Sequence, residues 1–311
     1  MVSPIGLGCW QFSKRRGFAG KFWPVVPDEE ITEIVRVSLE GGVNWFDTAE
    51  VYGWGESEKA LAQTLEQLGN LPEKTIIATK WWPMFRTARS ITKTINDRLT
   101  NLHVSRIDLH QVHQPYAFAS TKAQMQAMAH LVSIGKVQYV GVSNFSAAKM
   151  RAAHEELTLH KLRLTSNQVK YSLLQRDIES NGILATAKEL GIAIIAYSPL
   201  AQGLLTGKFH ENPHLIQQRQ GFRKYQKAFK PEGLEQSRPV IKVLNTLAEK
   251  YQVTPAQIAL NWLVTFHGDL VVAIPGATKV THAQQNTGAM TFRLTQEELE
   301  RLDQVSAPFK P

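Results

Sequence analysis

The sequence predicts a single (β/α)8 barrel of the TIM type spanning residues 1–311. Three observations point to it. Short β-branched or apolar runs alternate with longer segments of helical period, the mark of strand-helix units feeding a parallel sheet. Eight such runs recur at intervals of roughly 25 to 40 residues, and a chain of 311 residues is within the reach of one closed barrel. No Gly-x-Gly-x-x-Gly follows an early run, which weakens the open doubly wound alternative.

In chain order the strands are expected at "IGLG" (5–8), "VNWFD" (43–47), "TIIATK" (75–80), "IDLHQV" (107–112), "VQYVGVS" (137–143), "TSNQVK" (165–170), "IAIIAYS" (192–198) and "LVVAIP" (270–275). Helical segments lie between them, and several have readable ends. Asp28 is expected to cap "EEITEIVRVSLEGG", whose apolar stripe stops at Gly41 and Gly42. Thr254, Pro255 and Gln257 open "TPAQIALNWLV" as N-cap, first-turn proline and capping-box partner, and Thr295 with Glu298 repeats the box before "LERLDQV". The long irregular stretch at about 200–236 has no clear periodicity, and loops of that length in a compact domain are usually functional or disordered.

Composition narrows the function classes. The hydrophobic share of 43% and charged share of 20% are ordinary for a globular chain, with no run apolar enough to span a membrane. The net charge of +8 suits an anionic partner, but the basic residues are scattered. Only "SKRRG" (13–17) and "GFRKYQKAFK" (221–230) are dense, and neither sits in a nucleic-acid motif. Of the anionic partners such a charge suits (nucleic acid, an anionic membrane, a phosphorylated small molecule), nucleic acid is therefore disfavoured. The start "MVSPIGLGCWQF" carries no signal-peptide pattern, and the single Cys9 has no disulfide partner, so a reducing, cytoplasmic setting is expected.

Active sites of such barrels form at the C-terminal ends of the strands. There the sequence places Asp47 (second strand), Lys80 (third), His113 (after the fourth) and Tyr52 on the loop following the second. Each alone has a structural explanation in a loop cap, a surface lysine, a turn or a packed ring. Together they make a proton donor. A lysine ammonium kept charged by a carboxylate is expected to lower the pKa of a neighbouring phenol, ordinarily about 10, and a histidine opposite would orient the substrate oxygen or share its proton. A divalent-metal hydrolase is disfavoured, because beyond His113 and Asp47 no cluster of ligands stands at the strand ends.

At this point "GGVNWFDTAEVYGWGESEKAL", "IDLHQVHQP", "VQYVGVSNF", "NQVKYSLL", "AYSPLAQGLLTGKF" and "IPGATKVTHAQQN" together resemble the aldo-keto reductases, over essentially the whole chain and in order. The channel β-subunit-like and bacterial or plastid oxidoreductase branches are the nearer match. The resemblance implies a barrel binding NADP(H) across its top, with Asp47, Tyr52, Lys80 and His113 as the catalytic tetrad of an NADPH-dependent carbonyl reductase. A cofactor-sensing regulatory subunit with little turnover is the alternative.

It also implies that Ser143, Asn144 and Gln168 hold the nicotinamide carboxamide and that Tyr197 stacks on the ring. Ser198, Leu200, Gln202, Gly203 and Leu205 would wrap the pyrophosphate through backbone amides, with Lys208 just beyond. Gly276, Thr278, Lys279, His282, Gln285 and Asn286 would meet the adenosine phosphate. Many members carry arginine at the position of His282 and some lysine at that of Gly276, so the choice of NADPH over NADH rests on Lys279 and the positive field. The stretch 200–236 becomes a cofactor-side loop, with "GFRKYQKAFK" as a solvated segment or closing lid. The hairpin that usually plugs the barrel floor is expected to be absent or trimmed, since four residues precede "IGLG". Trp10, Trp54, Trp81 and Tyr116, with Trp82, are expected to wall a pocket for an apolar or aromatic carbonyl. Cys9 is expected to be inert.

Overall fold

A computed structural model describes residues 1–17, 22–69, 75–219 and 224–311. The elements run β1 (Leu7–Gly8), α1 (Asp28–Glu40), β2 (Trp45–Asp47), α2 (Glu56–Gln67), β3 (Ile76–Trp81), α3 (Arg89–Lys93), α4 (Ile95–Leu102), β4 (Ile107–Val112), α5 (Thr121–Ser133), β5 (Val137–Ser143), α6 (Ala147–Leu159) and β6 (Leu164–Lys170). The second half continues α7 (Ile183–Leu190), β7 (Ala193–Tyr197), α8 (Lys208–Glu211), α9 (Pro231–Tyr251), α10 (Pro255–Thr265), β8 (Val271–Ala273), α11 (Val280–Gly288) and α12 (Gln296–Val305). The strands pair in parallel in the order β1 to β8. The two edges then meet: Ile5 bridges Ala273 and Gly8 bridges Gly276, with the Gly6 and Gly8 amides donating to the carbonyls of Ala273 (2.8 Å) and Pro275 (3.1 Å). This closure leaves no free edge.

The eight expected strands all form. Those at the seam, with β2 beside it, are shorter than their apolar runs, reaching only Leu7–Gly8, Val271–Ala273 and Trp45–Asp47, and Pro275 has no N–H to extend the last ladder. Both capping boxes are present, Thr254 with Gln257 and Thr295 with Glu298. Asp28 is not a cap: Pro27 holds that position and Asp28 is the first helical residue, paired instead with Lys14 at 2.9 Å.

Apolar packing occupies two shells. The larger lies between strands and helices, and includes Phe46, Trp81, Val112, Val142 and Trp262. The smaller contains Trp45, Ala78, Leu109, Ile195 and Ile274, the alternate residues of their strands, as the period of two requires inside a barrel. Trp45 takes much of that space. Its indole donates to the Ser3 carbonyl at 3.0 Å and lies 2.3 Å from where a Cβ on Gly6 would stand, so only glycine fits beneath it.

The described residues of the stretch 200–236 are more ordered than a loop. Short 3-10 turns at Ala201–Thr206, Pro213–Ile216 and Lys227–Phe229 flank α8, and α9 already begins at Pro231. Leu204, Phe209, Ile216, Phe229 and Leu234 form a small core of their own, over which the Arg219 guanidinium lies 4.0 Å from the Phe229 ring centroid and 5.0 Å from that of Phe209. Of "GFRKYQKAFK", residues 221–223 fall outside the described residues; from Tyr225 to Lys230 the run is exposed except for Phe229, which is buried and anchors this otherwise solvated segment.

Candidate active site

Asp47 ends β2 and Lys80 lies next to the end of β3, both essentially inaccessible to solvent. Lys80 Nζ donates to Asp47 Oδ1 and to the Thr48 carbonyl at 2.9 Å. The other carboxylate oxygen, Oδ2, accepts from Gln168 Nε2 (2.8 Å) and Gln111 Nε2 (3.2 Å). A buried ion pair survives only when its remaining lone pairs are satisfied, and two glutamines, one from β4 and one from β6, meet that condition. Burial pulls Lys80 below the ordinary lysine value, opposed by the Asp47 carboxylate.

Tyr52 sits on a tight turn built by the glycines after it. Gly53 has φ +68 and a Cβ there would fall 2.4 Å from the Ser13 carbonyl; Gly55 has φ +91. Both positions therefore need glycine. The turn sets the Tyr52 ring under Trp10, stacked with centroids 5.9 Å apart, beside Lys80 Nζ at 5.1 Å and edge-on to His113 at 5.6 Å. All four expected catalytic residues thus converge. The electrostatics differ from expectation in one respect: the Tyr52 phenol is pushed up, by burial first and then by the carboxylate of Asp47 and by Cys9. The phenol stays protonated because ionising it would add a second buried negative charge.

His113 is held well below the ordinary histidine range by burial and by Lys80. It is a neutral imidazole whose Nδ1 is buried without a hydrogen-bond partner.

The polar strand ends beside this group form a chain of hydrogen bonds. Ser143 Oγ donates to the Gln168 carbonyl at 2.9 Å, Asn144 Nδ2 to Ser143 Oγ at 3.1 Å, and Tyr197 Oη to Asn144 Oδ1 at 3.0 Å. Burial, with Tyr52 nearby, raises Tyr197 to about 12. Asn144, Ser198, Ala201 and Gln202 all adopt left-handed backbone, φ 46 to 61. Such strain in non-glycine residues is costly and concentrates at functional sites. Beyond β7 the wrap differs from expectation. The amides of Gly203 and Leu205 both turn back onto the Leu200 carbonyl, at 2.8 and 3.3 Å, and the Leu205 side chain is buried in the main core. Arg219 holds the carbonyl and side-chain oxygens of Gln202 (2.9 and 3.3 Å).

At the far end, Lys208 and Lys279 are close enough for each to depress a shared neighbour, His282, after burial. His282 Nδ1 accepts from the Thr278 amide at 3.3 Å, so its ring supplies no fixed charge. Gly276 faces Gln11, whose side-chain atoms lie 2.1 to 2.5 Å from a Cβ built there. Half-buried Gln285 and buried Asn286 follow on α11, the latter with Nδ2 unpartnered.

The aromatic wall needs correction. Trp81 is buried in the outer core and donates its indole N–H to Ser90 Oγ at 3.0 Å. Side chains alternate along β3, so with Lys80 inside the barrel, Trp81 faces the helices. Trp82 is the one that meets His113, edge-on at 5.2 Å. Trp54 and Tyr116 are 67% and 70% exposed and stand at the rim rather than in a wall. Cys9 is fully buried and its thiol is pushed up by burial, as fits an inert residue.

The sequence reading missed several residues. Gln111 shares the parity of Leu109 and His113 on "IDLHQVH", a signal that was available. Glu50 gave no such signal: it is buried and binds the Trp82 amide, Arg86 and Arg98, fixing the loop that carries Trp82. Arg98 also reaches Glu58 at 2.9 Å. Glu58 is in the first turn of α2 but fully buried, with Thr79 and Asn101 as further donors; burial raises it to about 7.

The model of the "Aldo/keto reductase family" matches residues 4–307. An uncharacterised oxidoreductase of Mycobacterium tuberculosis is 34% identical over 310 residues, covering 100% of this chain and 91% of its own. A probable aldo-keto reductase of Glycine max is 32% identical, over 97% and 84% respectively. Among solved structures, the glycerol dehydrogenase of Gluconobacter oxydans superposes with a TM-score of 0.85 at 27% identity, over 100% of this chain and 94% of that one.

Proposed function

The chain belongs to the aldo/keto reductase family, and on that premise we propose that it is an NADPH-dependent oxidoreductase that reduces the carbonyl of a small aldehyde or ketone to an alcohol. The bound reduced nicotinamide would supply the hydride to the carbonyl carbon. The observation that carries the reading is the buried Asp47–Lys80 pair set beside Tyr52 and His113 at one end of the barrel.

Each residue has a role that its surroundings support. Tyr52, protonated at neutral pH, donates its proton to the substrate oxygen as that oxygen becomes an alkoxide, a far stronger base than phenolate. The Lys80 ammonium, 5.1 Å from the phenol ring, stabilises the phenolate left behind, and so acts after the transfer rather than by lowering the resting pKa. Asp47 keeps Lys80 charged and aimed. Neutral His113, with its unpartnered Nδ1, orients the substrate oxygen. Trp10 and Trp82 border the reacting group with apolar faces, favouring apolar or aromatic carbonyl substrates.

The residues present fit a nicotinamide dinucleotide. Ser143, Asn144 and Gln168 offer donors and acceptors suited to a carboxamide, Tyr197 offers a ring beside Tyr52, and Asn286 Nδ2 is a buried donor awaiting an acceptor. Lys208 and Lys279 bring positive charge to the phosphate end. The test is multiple-turnover NADPH oxidation, followed by absorbance, across a panel of aldehydes and ketones. Tight cofactor binding without turnover on any carbonyl would refute the reading.

A further inference from the structure

An open cavity of about 480 Å³ lies between the start of α1 and the start of α11, lined by Pro27, Glu30, Thr278, Lys279, Val280 and Thr281. Glu30 is half-buried there. Its Oε1 accepts the backbone amide of Val280, the first residue of α11, at 2.8 Å. An unpaired amide at a helix start attracts phosphate; here a carboxylate from 250 residues away already holds it. His282 contributes no compensating charge, because its Nδ1 accepts from the Thr278 amide. One turn beyond His282 on the same helix, Asn286 is over nine-tenths buried with Nδ2 unpartnered, a polar group of α11 left without a partner. Lys279 is the exposed cation on the cavity lining.

We propose that Glu30 is a selectivity residue for the adenosine end of the dinucleotide: its carboxylate accommodates the free ribose 2′-hydroxyl of NADH and opposes the 2′-phosphate of NADPH. The inference rests on the dinucleotide reading above and deepens it. Carboxylates accept ribose hydroxyls well, while a like charge held within a few ångströms of a phosphate is repelled. Lys279 and Lys208 pull the other way, so the two cofactors compete on closer terms than the lysines alone would set, and the chain binds NADH as well as NADPH.

Calorimetric titration of the full-length protein, without substrate, reads this directly. NADPH, NADH, 2′,5′-ADP and ADP are titrated into the parent chain, Glu30→Gln and Lys279→Gln. Glutamine keeps an acceptor for the Val280 amide, so folding is preserved and only the charge is lost. Glu30→Gln is expected to tighten NADPH and 2′,5′-ADP by roughly five-fold or more while NADH and ADP move less than about two-fold; Lys279→Gln is expected to weaken only the 2′-phosphorylated pair. An unchanged NADPH to NADH ratio in Glu30→Gln, with both still bound, overturns the role of Glu30 and leaves the function intact. Failure of the parent chain to bind either dinucleotide overturns both.

Discussion

Trp10 lies nearly parallel to Tyr52, their planes 20° apart with centroids separated by 5.9 Å. The phenol ring is thus placed by packing, and its hydroxyl is left to chemistry. Tyr52→Phe is expected to keep the ring and the fold, lower turnover by roughly 10² to 10⁴-fold, and leave dinucleotide affinity within about three-fold. Steady-state rates with calorimetric binding check it; a variant retaining most of its rate would remove Tyr52 as the proton donor.

The Asp47–Lys80 pair permits a double-mutant test. Lys80→Met strands the carboxylate among two amide donors and should cost about 3–5 kcal/mol of stability along with activity. Adding Asp47→Asn removes the uncompensated charge. The double variant is expected to be inactive yet more stable than Lys80→Met alone, as read by urea denaturation; a purely additive loss would mean the two groups are not coupled.

His110 supplies a pH test of the fold. It is buried and held down at about 3, by burial first and then by Arg98, against about 6.5 for a free histidine. The unfolded chain therefore takes up a proton that the folded chain refuses. The contribution is complete above about pH 6.5 and is lost as pH falls, at about 1.4 kcal/mol per unit. In His110→Gln this component is gone, so the stability gap between parent and variant should narrow by that slope between pH 6.5 and 5. Comparing the two proteins cancels Glu58, whose raised pKa works in the opposite direction. Denaturant curves at pH 7, 6 and 5 with a constant gap would contradict the assignment.

Trp81 and Trp82 should separate stability from specificity. Trp81→Ala empties a fully buried site and is expected to cost about 3–5 kcal/mol, with KM for aromatic aldehydes little changed. Trp82→Ala, which removes the ring against His113, should raise that KM several-fold with a smaller loss of stability. Reversal of the two patterns would mean the strand parity has been misjudged.

The pattern of these residues explains what was legible. Asp47, Lys80 and His113 were readable because strand ends follow from apolar runs, and in a closed parallel barrel strand ends converge. The capping boxes at Thr254 and Thr295 were readable because a cap is a contact between residues three apart. Trp81 departs from the expected wall because of strand parity: a one-residue step on a strand moves a side chain from the interior to the helix layer. The small core of Leu204, Phe209, Ile216, Phe229 and Leu234 was hidden because its members are irregularly spaced across short turns.

By itself, then, the sequence determined the order of strands and helices, the two capping boxes and the identity of the four convergent side chains, since each of these depends on local period or on strand position. Only the tertiary structure decided the direction of the Tyr52 shift, the glutamine partners of Asp47 and the carboxylate that Glu30 lays on the first amide of α11. Burial is a property of the whole packed chain. So are contacts between residues 121 or 250 positions apart, and no local pattern encodes either.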